Sequence, residues 1–332
     1  MFQLIAALAL CAVALVSPLV QGAETRPILI KLSHVVAEDT PKGKGALLFQ
    51  RLVAERLPGQ VKVEVYPNSA LFGDADELEA LRNNEVQMLA PSLAKFERYT
   101  QRLQVFDMPF LFDDLAAVNR FQKRAKGREL LRAMEKQNIL GLAFWHNGMK
   151  QLSATRPLYL PADAAGLSFR IQSSTVLDAQ FKQLGATAVK MPFAEVFQAL
   201  RSGRVQGAEN PWSNILSQKL DSVQPFITET NHGALDYMLV SNARFWYSIP
   251  HGTRAQLEGI IDEVTFAVNQ DAEAQNAADR AKLLAAGGSR LISLTDAQRQ
   301  AWRDAMQPVW QQFEEAIGKD MLRAAQMANR KR

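Results

Sequence analysis

One arginine lies in the middle of a predicted strand. Residues 167–171 read Leu-Ser-Phe-Arg-Ile, and this alternation places Arg170 on the polar face of a short strand. A guanidinium in the middle of a strand needs an anionic partner, and its planar fork matches a carboxylate through two parallel hydrogen bonds. We therefore predict that Arg170 binds a ligand carboxylate. A structural salt bridge or a solvated edge strand is the alternative.

Three other side chains could assist this arginine. Asn210 precedes Pro211, which favours extended backbone, and its amide can donate to a carboxylate. A turn-forming asparagine is the alternative. Trp212 could line a pocket or fill core, and Lys150, after the irregular segment 145–149, could offer a second cation or lie solvated at the surface.

A ligand with a charge at each end needs cations at each end. His34 and Lys42 flank the turn that follows a predicted strand at 28–32, so they could hold the far end of such a ligand. Ordinary surface polar residues are the alternative there. Ser92 follows another predicted strand, at 86–90, and would lie at its carboxyl end.

The elements that must position these residues alternate between strands and helices, as in α/β proteins. Residues 80–87 and 199–206 share their register over a helix end, a turn and a strand start. This similarity predicts two lobes built from related βαβ units, with chance as the alternative. Ligands lie beyond the carboxyl ends of strands in open α/β sheets, so Ser92 and Asn210 are expected at the two edges of a cleft.

Periodicity predicts the remaining elements. Segment 38–45 is rich in turn residues, so the first helix is expected to begin after it. A stretch at 253–286 nearly free of helix breakers predicts a long helix that spans both lobes, and Thr295 with Gln298 forms a capping box for a final amphipathic helix. The other expected elements are strands at 61–66, 186–190, 205–208, 235–241 and 291–294, and helices at 46–57, 74–81 and 192–202.

The totals describe an ordinary globular chain of 332 residues, 48% hydrophobic and 22% charged, which is too long for one simple core. Its net charge of +4 comes from basic residues scattered along the chain, with a cluster only at 330–332. Without a basic stripe and interleaved aromatics, binding to nucleic acid is not indicated. The mild positive charge suits an anionic ligand.

The amino terminus predicts export. Residues 2–20 are almost free of polar groups, and small residues follow at Gly22 and Ala23, so residues 1–23 are interpreted as a signal peptide for the periplasm. A membrane anchor that is not cleaved is the alternative. The only cysteine, Cys11, lies in this segment, so the mature protein would have no disulfide, thiolate nucleophile or sulfur-bound metal.

No motif predicts an enzyme, a cofactor or a metal site. The four histidines are isolated in sequence, and neither a His-Glu-x-x-His pattern, a Gly-x-Ser-x-Gly pattern nor a glycine-rich phosphate loop occurs. An exported hydrolase assembled from scattered residues is the alternative.

Motifs along nearly the whole mature chain resemble those of the DctP-type solute-binding subunits of TRAP transporters, in the C4-dicarboxylate branch. The motifs that carry the resemblance are Ser-His-Val-Val-Ala-Glu-Asp-Thr-Pro-Lys-Gly at 33–43, Tyr-Pro-Asn-Ser at 66–69, Leu-Phe-Gly-Asp at 71–74, Ala-Pro-Ser at 90–92, Asp-Met-Pro-Phe-Leu-Phe at 107–112, Trp-His-Asn-Gly-Met-Lys at 145–150, Gly-Leu-Ser-Phe-Arg at 166–170, Gly-Ala-Glu-Asn-Pro-Trp at 207–212 and Asn-His-Gly at 231–233.

The resemblance implies an α/β fold of two lobes, joined by crossing strands and braced by a long helix, that closes on its ligand like a flytrap. On this basis lobe 1 comprises 24–147 plus about 236–275, and lobe 2 comprises 148–235 plus about 276–332. It also implies separate membrane permease subunits that run sodium-coupled uptake, so this subunit would itself catalyse nothing.

The resemblance also implies roles for individual residues. Arg170 matches the arginine that binds the ligand carboxylate, Asn210 matches the asparagine that assists it, and Lys150 stands where many relatives outside this branch carry a second arginine. The other pocket residues that the branch implies are His34, Lys42, Ser92 and Trp212. The expected ligand is succinate, fumarate or malate; another organic acid, or a sensory partnership with a receptor kinase, is the alternative.

Overall fold

Two β-sheets flanked by helices form the frame of the protein, as seen in a computed structural model that describes residues 26–330. The predicted signal peptide lies outside the described residues. The strands are β1 (Ile28–Ser33), β2 (Val61–Tyr66), β3 (Met88–Leu89), β4 (Ile139–Met149), β5 (Gln151–Ala154), β6 (Ser168–Ile171), β7 (Thr187–Lys190), β8 (Gly207–Asn210), β9 (Phe226–Glu229), β10 (Ala234–Asn242) and β11 (Arg290–Ser293).

Helices cover both sheets, and several short 3₁₀ turns connect them. The α-helices are α1 (Pro41–Arg56), α2 (Glu77–Arg82), α3 (Leu115–Gln122), α4 (Ala125–Leu131), α5 (Thr175–Gln183), α6 (Val196–Arg201), α7 (Trp212–Ser217), α8 (Ala243–Ser248), α9 (His251–Ala286), α10 (Asp296–Ala305), α11 (Gln307–Ile317) and α12 (Lys319–Gln326). No helix within residues 26–330 is long and apolar enough to cross a bilayer.

The chain passes between the two sheets at two places. The first sheet has the order β2-β1-β3-β10-β4, and the second has the order β11-β9-β5-β8-β6-β7. Only Lys150 separates β4 of the first sheet from β5 of the second, and residues 230–233 lead from β9 back to β10. Both crossings lie side by side, because the Lys150 N–H donates to the Gly233 carbonyl at 2.7 Å. The predicted α/β fold of two lobes with crossing strands is confirmed.

The long helix α9 packs along both parts of the molecule, as predicted. Its residues Leu257, Ile260, Ile261, Val264 and Val268 are buried in the hydrophobic core of the first sheet, and Leu283 is buried in the cluster beside β8 of the second. It ends where Gly287 adopts φ +65°, a left-handed conformation that glycine reaches without steric cost.

The beginning of the first helix differs from the prediction. The helix starts at Pro41 instead of 46, because Thr40 caps it with a hydrogen bond from the Gly43 N–H at 3.2 Å and proline fits the first helical position. Segment 38–45 is therefore only partly a turn, and Lys42 lies in the first turn of α1. A Cβ at Gly43 would lie 2.3 Å from the Ala37 carbonyl oxygen, so glycine permits this close approach.

Two strand predictions were displaced in a way that affects the site. The strand expected at 86–90 shortens to β3, Met88–Leu89, and the one expected at 205–208 forms two residues later as β8. Asn210 is consequently the last residue of a buried strand, paired with Gln151 of β5, instead of a residue in the following loop. Backbone pairing inside the sheet therefore holds Asn210 in place.

The carboxyl terminus forms three helices, so the prediction of one final helix was wrong. The expected Thr295 and Gln298 capping box is present, but Pro308 begins a new helix and Gly318, at φ +102°, begins another. Helix α11 packs against residues 101–107 and against α5, and α12 packs against α3. Because these helices contact both predicted lobes, the lobe boundaries in this part stay a prediction.

Candidate ligand-binding site

A cleft runs between the two sheets and contains two adjoining spaces. The outer cavity has a volume of about 280 Å³, whereas the inner pocket keeps only about 10 Å³ free, room for about one water molecule. The cleft is therefore closed in this structure. The inner pocket is lined by Val35, Val36, Asp74, Ser92, Lys95, Gln172, Phe193, Asn210, Asn214, Leu235 and Tyr237.

Arg170 lies in the middle of β6 and faces the outer cavity. It is 2% exposed, and its Nε donates to the Met191 carbonyl at 2.9 Å. Burial lowers the pKa of its guanidinium below the ordinary value. Within residues 26–330 no carboxylate lies inside the 4.0 Å of a salt bridge to it, so this buried cation has donors that only solvent or a ligand can satisfy.

Asn210 ends β8 and lines the inner pocket. Its side chain is buried, yet neither the amide nitrogen nor the amide oxygen has a hydrogen-bond partner among the described residues. A buried polar group without a partner costs about 1–3 kcal/mol. An amide placed this way gains a partner when a ligand with polar groups fills the pocket.

Ser92 is the one predicted site residue from the first-sheet side that reaches the inner pocket. It forms an isolated antiparallel bridge with Tyr237 of β10, and its Oγ donates to Oε1 of Gln172 at 2.9 Å. Gln172 directly follows β6, which carries Arg170. This hydrogen bond therefore links the two sides of the cleft.

Lys42 and His34 are both buried, and neither lines the inner pocket or the outer cavity. The Lys42 ammonium donates to the Ala90 carbonyl at 2.9 Å and lies 3.6 Å from the centre of the Tyr237 ring. Tyr237 itself lines the inner pocket. Burial, with Lys95 nearby, lowers the pKa of Lys42 to about 7. Burial, with Lys42 nearby, lowers the pKa of His34 to about 3, so this imidazole is neutral.

Lys150 and Trp212 lie away from both spaces. The Lys150 ammonium contacts Glu209 at 2.9 Å, and Glu209 also contacts His232 at 2.9 Å. Burial opposes ionisation of Glu209, but Lys150 and His232 outweigh it and lower its pKa to about 2. Trp212 packs in a hydrophobic cluster with Ile215. Their proposed roles as ligand contacts stay predictions.

Sequence reasoning missed two charged residues of the cleft. Lys95 contacts Asp74 and, at 2.5 Å, Glu77, and both Lys95 and Asp74 line the inner pocket as well as the outer cavity. Burial opposes protonation of Lys95, but the carboxylates of Glu77 and Asp74 outweigh it and raise its pKa. Asp74 ends one of the motifs noted above, whereas nothing in the local sequence distinguishes Lys95 from a surface lysine.

The polar groups around the cleft suit a small anion. Residues 26–330 contain no group of three or more histidine, cysteine, aspartate or glutamate side chains that could hold a metal ion. The cationic groups that line the outer cavity are Arg170, Lys95, Arg98 and Lys190, and Lys42 lies against the Tyr237 ring of the inner pocket. The neutral polar groups that line the inner pocket are Asn210, Asn214, Ser92, Gln172 and Tyr237.

Comparisons with known proteins agree with this geometry. The C4-dicarboxylate-binding periplasmic protein DctP of Shewanella loihica is 52% identical over 303 residues, which cover 91% of this chain and 90% of that protein. A TRAP periplasmic solute-binding protein from Pseudomonas aeruginosa, solved with bound L-malate, is 65% identical and superimposes with a TM-score of 0.85 over 86% of this chain and 100% of that one. Another from Shewanella oneidensis, solved with bound succinate, is 52% identical, with a TM-score of 0.91 over 92% of this chain and 100% of that one.

The family model described as bacterial extracellular solute-binding protein, family 7, matches residues 32–316. This match covers most of the chain, and the relatives above extend over nearly the same range. The chain therefore belongs to family 7 of the bacterial extracellular solute-binding proteins.

Proposed function

We propose that this chain captures a C4 dicarboxylate, namely succinate, fumarate or malate, outside the cytoplasmic membrane. The observation that carries the proposal is Arg170, a buried guanidinium that faces the cleft without a carboxylate partner from residues 26–330. A ligand carboxylate can accept two parallel hydrogen bonds from such a group. Relatives at 65% and 52% identity were solved with L-malate and succinate, which supports the same ligand class here.

The size of the two adjoining spaces supports a small ligand. The inner pocket beside Asn210 keeps about 10 Å³ free and the outer cavity beside Arg170 about 280 Å³, so a ligand that reaches both residues lies across the two spaces. On the first-sheet side Lys95 is paired with Asp74 and Glu77, whereas Lys42 makes no salt bridge to the described residues and can supply positive charge for a second carboxylate. Closure removes water, which strengthens each of these electrostatic contacts.

In this proposal the chain is the binding subunit of a TRAP transporter and delivers its ligand to membrane permease subunits for sodium-coupled uptake. Export by the predicted signal peptide at 1–23 would place it in the periplasm. Membership in a family of extracellular solute-binding proteins supports both points. Succinate uptake into vesicles that hold the membrane subunits, with and without this chain, tests the delivery step.

Thermal unfolding tests the ligand. The mature protein, refolded to remove any bound ligand, is heated with succinate, fumarate, L-malate, monocarboxylates, sugar acids and neutral sugars. A ligand at 100 times its dissociation constant stabilises the fold by about 2.7 kcal/mol, which raises the melting temperature by a few degrees. A rise only with C4 dicarboxylates supports the proposal. A rise with another acid alone would replace the ligand, and no rise at all would contradict the function.

A further inference from the structure

The inner pocket and the outer cavity share three lining residues, Asp74, Lys95 and Gln172. These residues form the partition between the pocket and the cavity, so a ligand that reaches both Asn210 and Arg170 lies against them. The partition joins the two sides of the cleft, because Asp74 and Lys95 belong to the first-sheet side and Gln172 to the second.

Two hydrogen bonds cross the cleft at this partition. Oδ2 of Asp74 accepts from the main-chain N–H of Phe193 at 2.5 Å, and the Ser92 Oγ donates to Gln172 at 2.9 Å. Asp74 lies just before α2, whereas Phe193 follows β7 of the second sheet. The Asp74 bond is the stronger of the two on chemical grounds, because its acceptor is a carboxylate.

The surroundings of Asp74 keep its carboxylate charged. Burial opposes its ionisation, but the Lys95 ammonium and the Phe193 amide outweigh this effect and lower the pKa of Asp74. Lys95 contacts the other oxygen, Oδ1, and holds the group in place. Oδ2 is thus oriented toward Phe193 by a contact made entirely on the first-sheet side.

We propose that Asp74 is the latch of the closed cleft: its bond to the Phe193 N–H holds the two sides together and slows release of the ligand. The inference rests on the proposed function only for the identity of that ligand. Opening breaks one charge-assisted hydrogen bond at the partition, so the bond contributes to the barrier for dissociation. Asp74 is in this sense a positioning residue.

The main test removes the N–H without changing any charge. Phe193→Pro and Phe193→Ala both lose the aromatic ring, but only the proline variant also loses the donor. Pro192 has φ −54° and ψ 148°, a conformation that suits a residue before proline, and Phe193 begins a helical turn, where proline is tolerated. We expect succinate to dissociate about tenfold faster from Phe193→Pro than from Phe193→Ala in stopped-flow measurements.

A double-mutant cycle identifies the partner. In an Asp74→Ala background the difference between proline and alanine at 193 should disappear, because the acceptor is already gone. Asp76→Asn is the control for loss of one negative charge, since Asp76 is exposed two residues away and its amide oxygen can still accept from the Gly73 N–H. Equal dissociation rates for proline and alanine, or a proline effect that persists undiminished without Asp74, would overturn the latch.

A second readout does not depend on the ligand. Spin labels at Glu85→Cys and Ser202→Cys, two exposed positions on opposite sides of the cleft, report the closed fraction. We expect longer distances in Phe193→Pro than in Phe193→Ala, with or without succinate. If the native protein bound no dicarboxylate the proposed function would fail, and these distances would still decide the latch.

If Phe193→Pro does not fold, hydrogen exchange decides instead. The Phe193 amide should exchange faster in Asp74→Ala than in Asp76→Asn and the native protein. Equal protection in all three proteins would overturn the inference.

Discussion

The two sides of the cleft hold their polar groups in opposite states. On the first-sheet side Lys95 is paired with Asp74 and Glu77, and Ser92 is bonded to Gln172. On the second-sheet side Asn210 has no partner among the described residues. Arg170 beside it uses its Nε on a main-chain carbonyl and has no carboxylate from residues 26–330. The first side therefore has its polar groups paired within the protein, whereas the second presents polar groups that a ligand can pair with.

This difference appears although the two sides share a sequence pattern. Residues 80–87 and 199–206 lead into β3 and β8, and both strands end at the cleft. After β3 the chain turns through Ser92, whose hydroxyl finds a partner. At the end of β8 the buried Asn210 finds none, because strand pairing fixes its backbone and leaves the side chain facing the pocket. Similar local sequences can thus carry different tasks in binding.

Replacement of Arg170 should have the largest effect on ligand affinity and tests the difference between the two sides most directly. Arg170→Ala removes the buried cation that lines the outer cavity from the second-sheet side, where Lys190 is exposed to solvent. Truncation of one partner of a buried charged pair costs about 2–5 kcal/mol, so succinate affinity should fall by about 100-fold or more. Arg170→Lys should lose less, since it keeps the charge without the planar fork. Isothermal titration calorimetry measures both affinities.

The control for this prediction is Arg201→Ala, which removes an exposed arginine from α6. It should bind like the native protein. Native affinity in Arg170→Ala with an intact fold by circular dichroism would show that the ligand lies elsewhere.

Replacement of Asn210 should separate binding from stability. Asn210→Leu has a similar shape and removes an amide that is buried without a partner, so the ligand-free protein should melt at a higher temperature. Affinity should fall about tenfold, because one hydrogen bond to a charged ligand is lost. Calorimetry and thermal unfolding of the same variant check both effects.

Asn214→Leu provides the contrast, since the buried amide oxygen of Asn214 accepts from Asn147 at 2.9 Å. Loss of that bond leaves a buried donor unpaired, so this variant should melt at a lower temperature. If Asn210→Leu were destabilised as much as Asn214→Leu, Asn210 would be a structural residue and the contrast between the two sides would disappear.

The last prediction concerns Lys42 and the pH dependence of stability in the ligand-free protein. Its pKa is about 7 in the folded protein and near 10.5 when solvated, so between these values the unfolded chain binds more protons. Stability of the ligand-free protein should therefore rise from pH 7 to 10 by up to about 1.4 kcal/mol per pH unit more than in Lys42→Met. Urea unfolding at several pH values measures the difference.

Lys44→Met is the matched control, because Lys44 lies two residues away in α1 with an ammonium exposed to solvent. Its profile should run parallel to that of the native protein over this pH range. A Lys42→Met profile that also ran parallel would mean that the Lys42 ammonium keeps its ordinary pKa despite burial.

The sequence by itself determined the elements and the chemistry that each of them carries. Alternation placed Arg170 on a strand, the breaker-free stretch predicted α9, and Thr295 with Gln298 marked a helix start. These signals are local, since they depend on residues at most a few turns apart. They were sufficient for two α/β lobes and an arginine at a cleft.

Only the tertiary structure decided which charged side chains pair with groups distant in the sequence. The ion pair between Lys150 and Glu209 joins residues 59 positions apart in the sequence. The hydrogen bond between Asp74 and the Phe193 amide joins residues 119 positions apart. Such pairings depend on strand order and on how the two sheets approach each other, which periodicity does not encode. Lys150 therefore became part of a buried ion pair, while Lys95, unremarkable in the sequence, became part of the cleft.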